Sequence, residues 1–296
     1  MTSANPYFIT GPALISFSGG RTSAFMLWNI LQAHGGTLPD DVHVTFANTG
    51  KEREETLRFV HECATRWGVR VHWLEWLDRR KKTPAVDRYA EVGLNSASRN
   101  GEPFKALIKS KKAVPNAYQR WCTTHLKFQV CRDFMEVCGY KTWKNVIGLR
   151  ADEMHRVFKK LAENHEENNF WTNVMPLADG RARKPDVLRF WLGDNTDPLN
   201  LINPLPQGFD LGLPLWDGNC TMCMMKGRQV IEHICRTAPD EAADWAAMEQ
   251  LGGGTFTTEY SINELRAAVH RSPRFPLEGD FEEHDAECGT WCGEAA

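Results

Sequence analysis

The chain has 296 residues, 42% hydrophobic and 25% charged, and its 35 basic and 38 acidic side chains leave a net charge of −3. That length holds one large α/β domain or two ordinary ones. The charge balance excludes a protein held on polyanions by bulk charge, so any nucleic-acid contact must come from a local basic patch. No apolar run approaches the ~20 residues of a membrane span, and Met1 to Tyr7 lacks the charged start and apolar stretch of a secretory signal. A cytoplasmic protein is expected. Nine cysteines, an odd number in a chain of this size, argue against a disulfide framework and for ligands, nucleophiles or core residues.

Ala13 to Phe17 reads as a first strand, Ser18-Gly19-Gly20 as a turn, and Ala24, Phe25, Leu27, Trp28 and Leu31 recur at helical spacing. Val42 to Ala47 is a second strand closed by Asn48-Thr49-Gly50. Glu52 to Trp67 is an amphipathic helix with Leu57, Val60, Cys63 and Ala64 on one face, and Val69 to Trp76 is a third strand. This alternation implies right-handed crossovers and an α/β fold with a doubly wound, mainly parallel sheet. Residues 79–118 are rich in Lys and Arg, with Arg79-Arg80-Lys81-Lys82 read as a solvated face. A helix from Thr123 to Val137 and a strand from Thr142 to Leu149 follow. Residues 151–170, mostly charged or amide, are expected to form a mobile, solvated segment, and 192–218 a long loop serving a site. Two helices end the chain: one from Asp240 to Leu251, closed by Gly252-Gly253-Gly254, and one begun by the capping box Ser261-Ile262-Asn263-Glu264.

The segment from Ser16 to Ser23, Ser-Phe-Ser-Gly-Gly-Arg-Thr-Ser, lies between the first strand and the first helix. Its glycines let successive N–H groups face one anion, the helix adds its positive end, and Ser18, Thr22 and Ser23 add hydroxyls. Open α/β sheets bind ligands at this place. Both the Gly-x-Gly-x-x-Gly and the Gly-x-x-x-x-Gly-Lys patterns are absent, which disfavours a dinucleotide dehydrogenase and an ordinary P-loop NTPase.

Ser18-Gly19-Gly20-Arg21-Thr22-Ser23 resembles the PP-loop of ATP pyrophosphatases, and five further segments resemble, in order, the motifs of the PAPS (phosphoadenylyl-sulfate) reductase branch of that superfamily. They are Asn48-Thr49-Gly50-Lys51-Glu52, Arg120-Trp121-Cys122-Thr123 with Lys127, Gly148-Leu149-Arg150-Ala151-Asp152-Glu153, Met175-Pro176-Leu177 with Asp186-Val187, and Gly218-Asn219-Cys220-Thr221-Met222-Cys223. The resemblance implies an adenine nucleotide alpha hydrolase-like fold, with nucleotide contacts from Ser16, Ser18 to Ser23, Asn48, Thr49, Gly50 and Gly148. Arg21, Lys51, Arg120, Lys127 and Arg150 are the implied cations around the phosphates. Asp152 and Glu153 either hold Mg2+ or pair with a nearby Arg. The implied organisation is a nucleotide-binding domain at 1–175, a Cys-x-x-Cys region at 176–238 packed on it, and a helical extension and tail at 239–296.

Cys220 and Cys223 form a strong ligand pair at a turn. In the iron–sulfur members of the family the Arg/Cys segment joins them, which adds Cys122; Trp121 stands where those members carry a second cysteine. Cys235 is the candidate fourth ligand of a [4Fe–4S] cluster, or a core residue. Structural Zn2+ held with His233 and Cys235 is the alternative. Cys63, Cys131 and Cys138 read as core. Glu287-Cys288-Gly289 resembles the nucleophile segment of sulfonucleotide reductases, with Cys292 close behind. The resemblance therefore implies an adenylating, ATP-pyrophosphatase sulfur transfer to tRNA or DNA, served by a sulfur or electron donor protein. The alternatives are reduction of PAPS or adenylyl sulfate (APS) through Cys288, and a non-catalytic nucleotide-binding regulatory subunit. Trp121, Trp171, Trp191 and Trp216 are either base-stacking groups or aromatic core.

Overall fold

The computed structural model describes residues 5–79, 82–165, 169–193, 208–218 and 220–271. Among these, six strands form one sheet: β1 (Ala13–Ser16), β2 (Val42–Ala47), β3 (Val71–Trp76), β4 (Tyr89–Val92), β5 (Trp143–Val146) and β6 (Trp171–Val174). Their order is β4-β3-β2-β1-β5-β6, parallel throughout except for the antiparallel edge pair β3–β4. Chain order reverses between β1 and β5. The crevice beyond the carboxyl ends of those two strands is the topological switch point, where such sheets receive ligands.

Strand side chains divide the interior into two cores. Ala13, Ile15, Val42, Val44, Phe46 and Trp73 face one side, where α1 (Arg21–Ala33), α2 (Glu54–Trp67) and α8 (Lys184–Leu192) cover them. Leu14, Leu74 and Trp76 face the other, beneath α3 (Glu102–Lys111), α5 (Val130–Val137), α9 (Arg228–Thr237), α10 (Pro239–Gly252) and α11 (Ile262–Arg271). The two-residue period of a strand produces this split, and the near-continuous apolar runs follow from burial on both faces. The C-terminal helices and the Cys-x-x-Cys region thus share a core with β1; among the described residues neither has a core of its own.

α2 buries Leu57, Phe59, Val60, Cys63 and Trp67 and ends at Gly68, whose φ of 63° closes the last turn. α10 ends likewise at Gly253. At α11 the capping box is formed: the Ser261 N–H donates to Glu264 Oε2 at 2.8 Å, and the Glu264 N–H to Ser261 Oγ at 3.2 Å. The 79–118 stretch contains β4 and α3, and the basic run is exposed at Arg79 and Lys82; Arg80 and Lys81 lie outside the described residues. Of the expected long loop, 208–218 has neither helix nor strand, and 194–207 lie outside the described residues.

The solvated segment expected at 151–170 is instead α6 (Met154–Glu163), followed by the approach to β6. Its polar composition misleads because the buried face is made of Arg156, Val157 and Lys160, the cations pairing with Glu153 and Glu163. Met154, Phe158 and Leu161 face outwards. Asn164, just past α6, hydrogen-bonds both the N–H and the carbonyl of Asn173 on the edge strand β6, which blocks further pairing there. Cys138, expected in the core, is exposed at the end of α5. Among the described residues no helix is long and apolar enough to cross a membrane.

Candidate active site

The loop after β1 is built by its own side chains. Gly19 has a φ of 81°, and a Cβ there would stand 2.6 Å from Thr56 Cγ2, so the turn into α1 requires glycine. The Ser18 N–H donates to Ser23 Oγ at 3.2 Å, and the Ser23 hydroxyl donates to the Gly20 carbonyl at 3.0 Å. α1 has no side-chain N-cap, so its first N–H groups are left for a ligand rather than a capping oxygen. Trp191 Nε1 donates to the Arg21 carbonyl at 2.9 Å and pins the first turn to α8.

Behind this loop lies a cavity of about 180 Å3. Ser16, Ser18, Gly20, Arg21, Thr22, Ser23, Gly148, Lys127 and Arg150 line it. It is a slot between one face of the sheet and a helical run made of α4 (Trp121–Thr123), a π-helical stretch (Thr124–Gln129) and α5. Thr123, Lys127, Phe128, Cys131 and Arg132 wall it from the helix, and Thr45, Trp143, Asn145 and Trp171 from the sheet. The π turn carries Lys127; such turns accompany functional sites. Arg156 and Lys184 add cations, against a single lining carboxylate, Asp217, among the described residues. A cavity charged this way suits a polyanionic ligand with an apolar, flat end.

Several of these side chains also make firm contacts within the protein. The Arg21 guanidinium makes a two-pronged pair with Asp210, at 2.7 and 2.6 Å, and donates to the Leu213 carbonyl, so it ties down the 208–218 segment. Burial would raise the Asp210 carboxyl, but Arg21 and the Gly212 N–H hold it below its ordinary value. Arg150 donates to Thr22 Oγ1 at 3.2 Å and pairs with Asp152 at 3.1 Å, so it braces the loop. Asp152 and Glu153 do not line the cavity. Glu153 accepts from Arg156 and from the Arg150 N–H. For Asp152, burial acts upward and is outweighed by Arg150 and the Lys184 N–H, leaving a lowered carboxyl. Both acids thus make the arginine pairs that were one of their two expected roles.

Asn48, Thr49, Gly50 and Lys51 do not line this cavity; of the four, Thr49 lines a second one. Asn48 Nδ2 donates to Glu75 Oε1 at 2.6 Å, Thr49 Oγ1 to Glu52 Oε1 at 2.9 Å, and the Thr221 N–H to the Lys51 carbonyl at 3.0 Å. Glu52 and Cys220 form an antiparallel bridge. Lys51 Nζ pairs with Asp244 of α10 at 2.9 Å and lies 5.4 Å over the Trp245 ring. These contacts hold the Cys220–Cys223 turn, and the buried Lys226–Asp217 pair, at 2.5 Å, closes its far side. Cys122, Cys220 and Cys223 line one small buried cavity together with Thr49, Phe104, Met224 and Trp245. Thr123 and Lys127 line both cavities and form their common wall. As placed, no three His, Cys, Asp or Glu among the described residues stand close enough to hold a single metal ion.

The chain is 30% identical over 230 residues to the uncharacterized nin region protein ORF290 of Escherichia phage lambda, an alignment covering 75% of this chain and 69% of that protein. The chain belongs to the family of that phage protein. It is also 25% identical over 170 residues to the uncharacterized protein MJ0066 of Methanocaldococcus jannaschii, where it spans only 29% of the archaeal protein. No family model matches the chain.

In this member of the nin region ORF290 family the remaining cysteines separate clearly. Cys235 does not line the three-cysteine cavity; it is buried on α9 beside Arg266 and Tyr260, and burial pushes its thiol up to about 11. His233 packs edge-on against Trp216 and is also absent from that cavity. Cys63 is core. Cys131, expected in the core with it, lines the slot behind the Ser18–Ser23 loop; burial pushes its thiol up to about 11, against the Thr45 hydroxyl and Lys127. Arg120 is buried at the start of α4 and lines neither cavity. Cys288 and Cys292 lie outside the described residues. Sequence reading missed Arg132, Arg156, Lys184 and Asn145; for Trp143 and Asn145, the period of two along β5 was the available signal.

Proposed function

We propose that the chain binds ATP, as its Mg2+ complex, at the Ser18–Ser23 loop and uses it to activate an acceptor for sulfur transfer. The acceptor oxygen attacks the α-phosphorus, and the α–β bond breaks with its electrons leaving on pyrophosphate. A sulfur nucleophile then displaces AMP from the adenylated acceptor. The observation that carries this reading is the common wall: Lys127 and Thr123 border both the phosphate-loop cavity and the three-cysteine cavity. Activation and sulfur delivery must occur on one acceptor without its release, and adjoining cavities satisfy that need. Lys127 is positioned to neutralise charge on the α-phosphate, while the loop N–H groups orient the chain of phosphates. Asp152 and Glu153, held by arginines, brace Arg150.

The thiols of Cys122, Cys220 and Cys223, which line one small cavity, have the donor chemistry that a [4Fe–4S] cluster takes, so these three residues would hold it, with one iron left open. When bound, it would supply a place to carry the sulfide. A structural Zn2+ takes four protein donors, and neither His233 nor Cys235 is on that cavity.

Anaerobically purified protein given ATP, Mg2+ and either tRNA or DNA is expected to release pyrophosphate, and Lys127→Ala to slow that release at least tenfold. It should be brown, with iron and sulfide lost in Cys220→Ser. Reduction of PAPS or APS to sulfite with no pyrophosphate overturns the ATP reading. A colourless protein with stoichiometric zinc overturns the cluster.

A further inference from the structure

The slot behind the phosphate loop is apolar along most of its sheet side, with Leu14, Trp143 and Trp171 forming its inner end. Asn145, 7% exposed, interrupts that surface. Its amide cannot turn freely. The Lys160 carbonyl can only accept, so Asn173 presents Nδ2 to it at 3.2 Å. Asn173 Oδ1 therefore faces Asn145 and accepts from its Nδ2 at 3.0 Å. Asn145 Oδ1 is left turned towards Ser16, whose hydroxyl is 3.5 Å away on the slot wall. Asn173 is itself fixed at both backbone groups by Asn164. The result is a carbonyl oxygen of known orientation on a largely apolar wall, with a lone pair to spare.

We propose that Asn145 is the base-selecting residue of the nucleotide site, its Oδ1 accepting a hydrogen from the exocyclic amino group of the ring. This inference rests on the nucleotide reading above. Asn145 on β5 and Gly148 at the mouth are three residues apart, at most about 10 Å of extended chain, which is within the reach of a nucleoside from its 5′-phosphate. Trp143 and Trp171, 5.7 Å apart, supply the aromatic surface at the inner end. A ring with an oxo group in place of the amine would set carbonyl against carbonyl and leave the buried ring oxygen facing an acceptor instead of a donor. Sites built around one hydrogen bond discriminate more sharply than apolar pockets do. Asn173 acts through Asn145 and is a positioning residue.

The test compares ATP with inosine triphosphate, which keeps the ribose and phosphates and replaces the 6-amino group by an oxo group. The wild-type full-length protein is expected to bind ATP at least tenfold more tightly. Asn145→Leu should bring the ratio near one, and Asn145→Ala serves if that variant does not fold. Asn173→Leu should also shrink the ratio while leaving affinity for inorganic tripolyphosphate unchanged, which general loosening of the site would not do. Equal wild-type affinities, or an unchanged ratio in the Asn145 and Asn173 variants, overturn the selector with the nucleotide site still standing. Failure of the wild type to bind either nucleotide overturns the nucleotide reading, and the selector with it.

Discussion

The two glycines of the phosphate loop are not equivalent. Gly19 sits at a φ of 81°, and a Cβ would press on Thr56 and Val60 of α2 at 2.6 and 3.0 Å. Gly20 has an ordinary φ of −92°, and the nearest atom to an added Cβ is Ser18 Oγ at 3.7 Å. Gly19→Ala should therefore cost about 1–3 kcal/mol of stability, whereas Gly20→Ala should stay within ~0.5 kcal/mol. Both should weaken ATP binding, the second because a methyl group occupies the path of the phosphate. Urea unfolding with parallel calorimetric titration separates the two effects; equal stability losses would contradict the packing argument. The residue pattern reveals that a glycine loop is present, but not which glycine the backbone requires. Nor does it reveal that Arg21 pairs with Asp210, because a cation in such a loop has no visible partner in sequence. Asp210 is 189 positions away, and no local spacing reports a pair of that range.

At the level of elements, the segment after β2 is tied to the cysteine turn. Asn48 to Glu52 holds the cysteine turn through the Lys51 carbonyl, the Glu52–Cys220 bridge and the Thr49 hydroxyl, which stands 3.4 Å from Cys220 Sγ. The opposite side of the turn is closed by Lys226, whose ammonium is fully buried against Asp217 and the Thr221 carbonyl. Arg53 shares Asp217 and extends to Glu241 on α10. Removing one member of a buried pair strands the other charge. Arg53 still compensates Asp217, so Lys226→Met should cost about 2 kcal/mol, less than the ~3–5 kcal/mol of an isolated buried pair. The turn should also open, so metal-free Lys226→Met should react with a thiol reagent such as DTNB several-fold faster than wild type. Unchanged thiol reactivity would show that the pair does not close the turn. The cysteine turn is visible in the sequence as Cys-x-x-Cys, while its clasp is unreadable there because Lys226 and Asp217 look like ordinary surface charges.

For the whole molecule, the doubly wound topology was legible from hydrophobic period alone, because β1 to β3 and α1 and α2 are regular and strongly apolar. The edge elements were not: β4 is short, and α6 buries cations rather than aliphatics. The C-terminal helices share a core with Leu14, so unfolding should register them and the sheet in one transition. That transition carries a signature from Asp133 on α5, whose side chain is fully enclosed beside Arg88 at 3.1 Å. Burial pushes its carboxyl from 3.8 up to about 6, against the pull of Arg88 and Arg132. The native state thus holds this proton more tightly than the unfolded chain does. The stability it contributes is complete below about pH 4 and is lost as pH rises through about 6. The limiting slope is ~1.4 kcal/mol per pH unit. His43 and His72, both held below their ordinary value by burial, act in the opposite sense as pH falls. They are present in wild type and Asp133→Asn alike, so the difference between the two melting curves isolates Asp133. Between pH 4 and 6.5 the melting temperature of Asp133→Asn should rise relative to wild type. A difference that stays flat, or falls, would mean that Arg88 keeps Asp133 ionised across the whole range and that the edge strand is joined to α5 by a true ion pair.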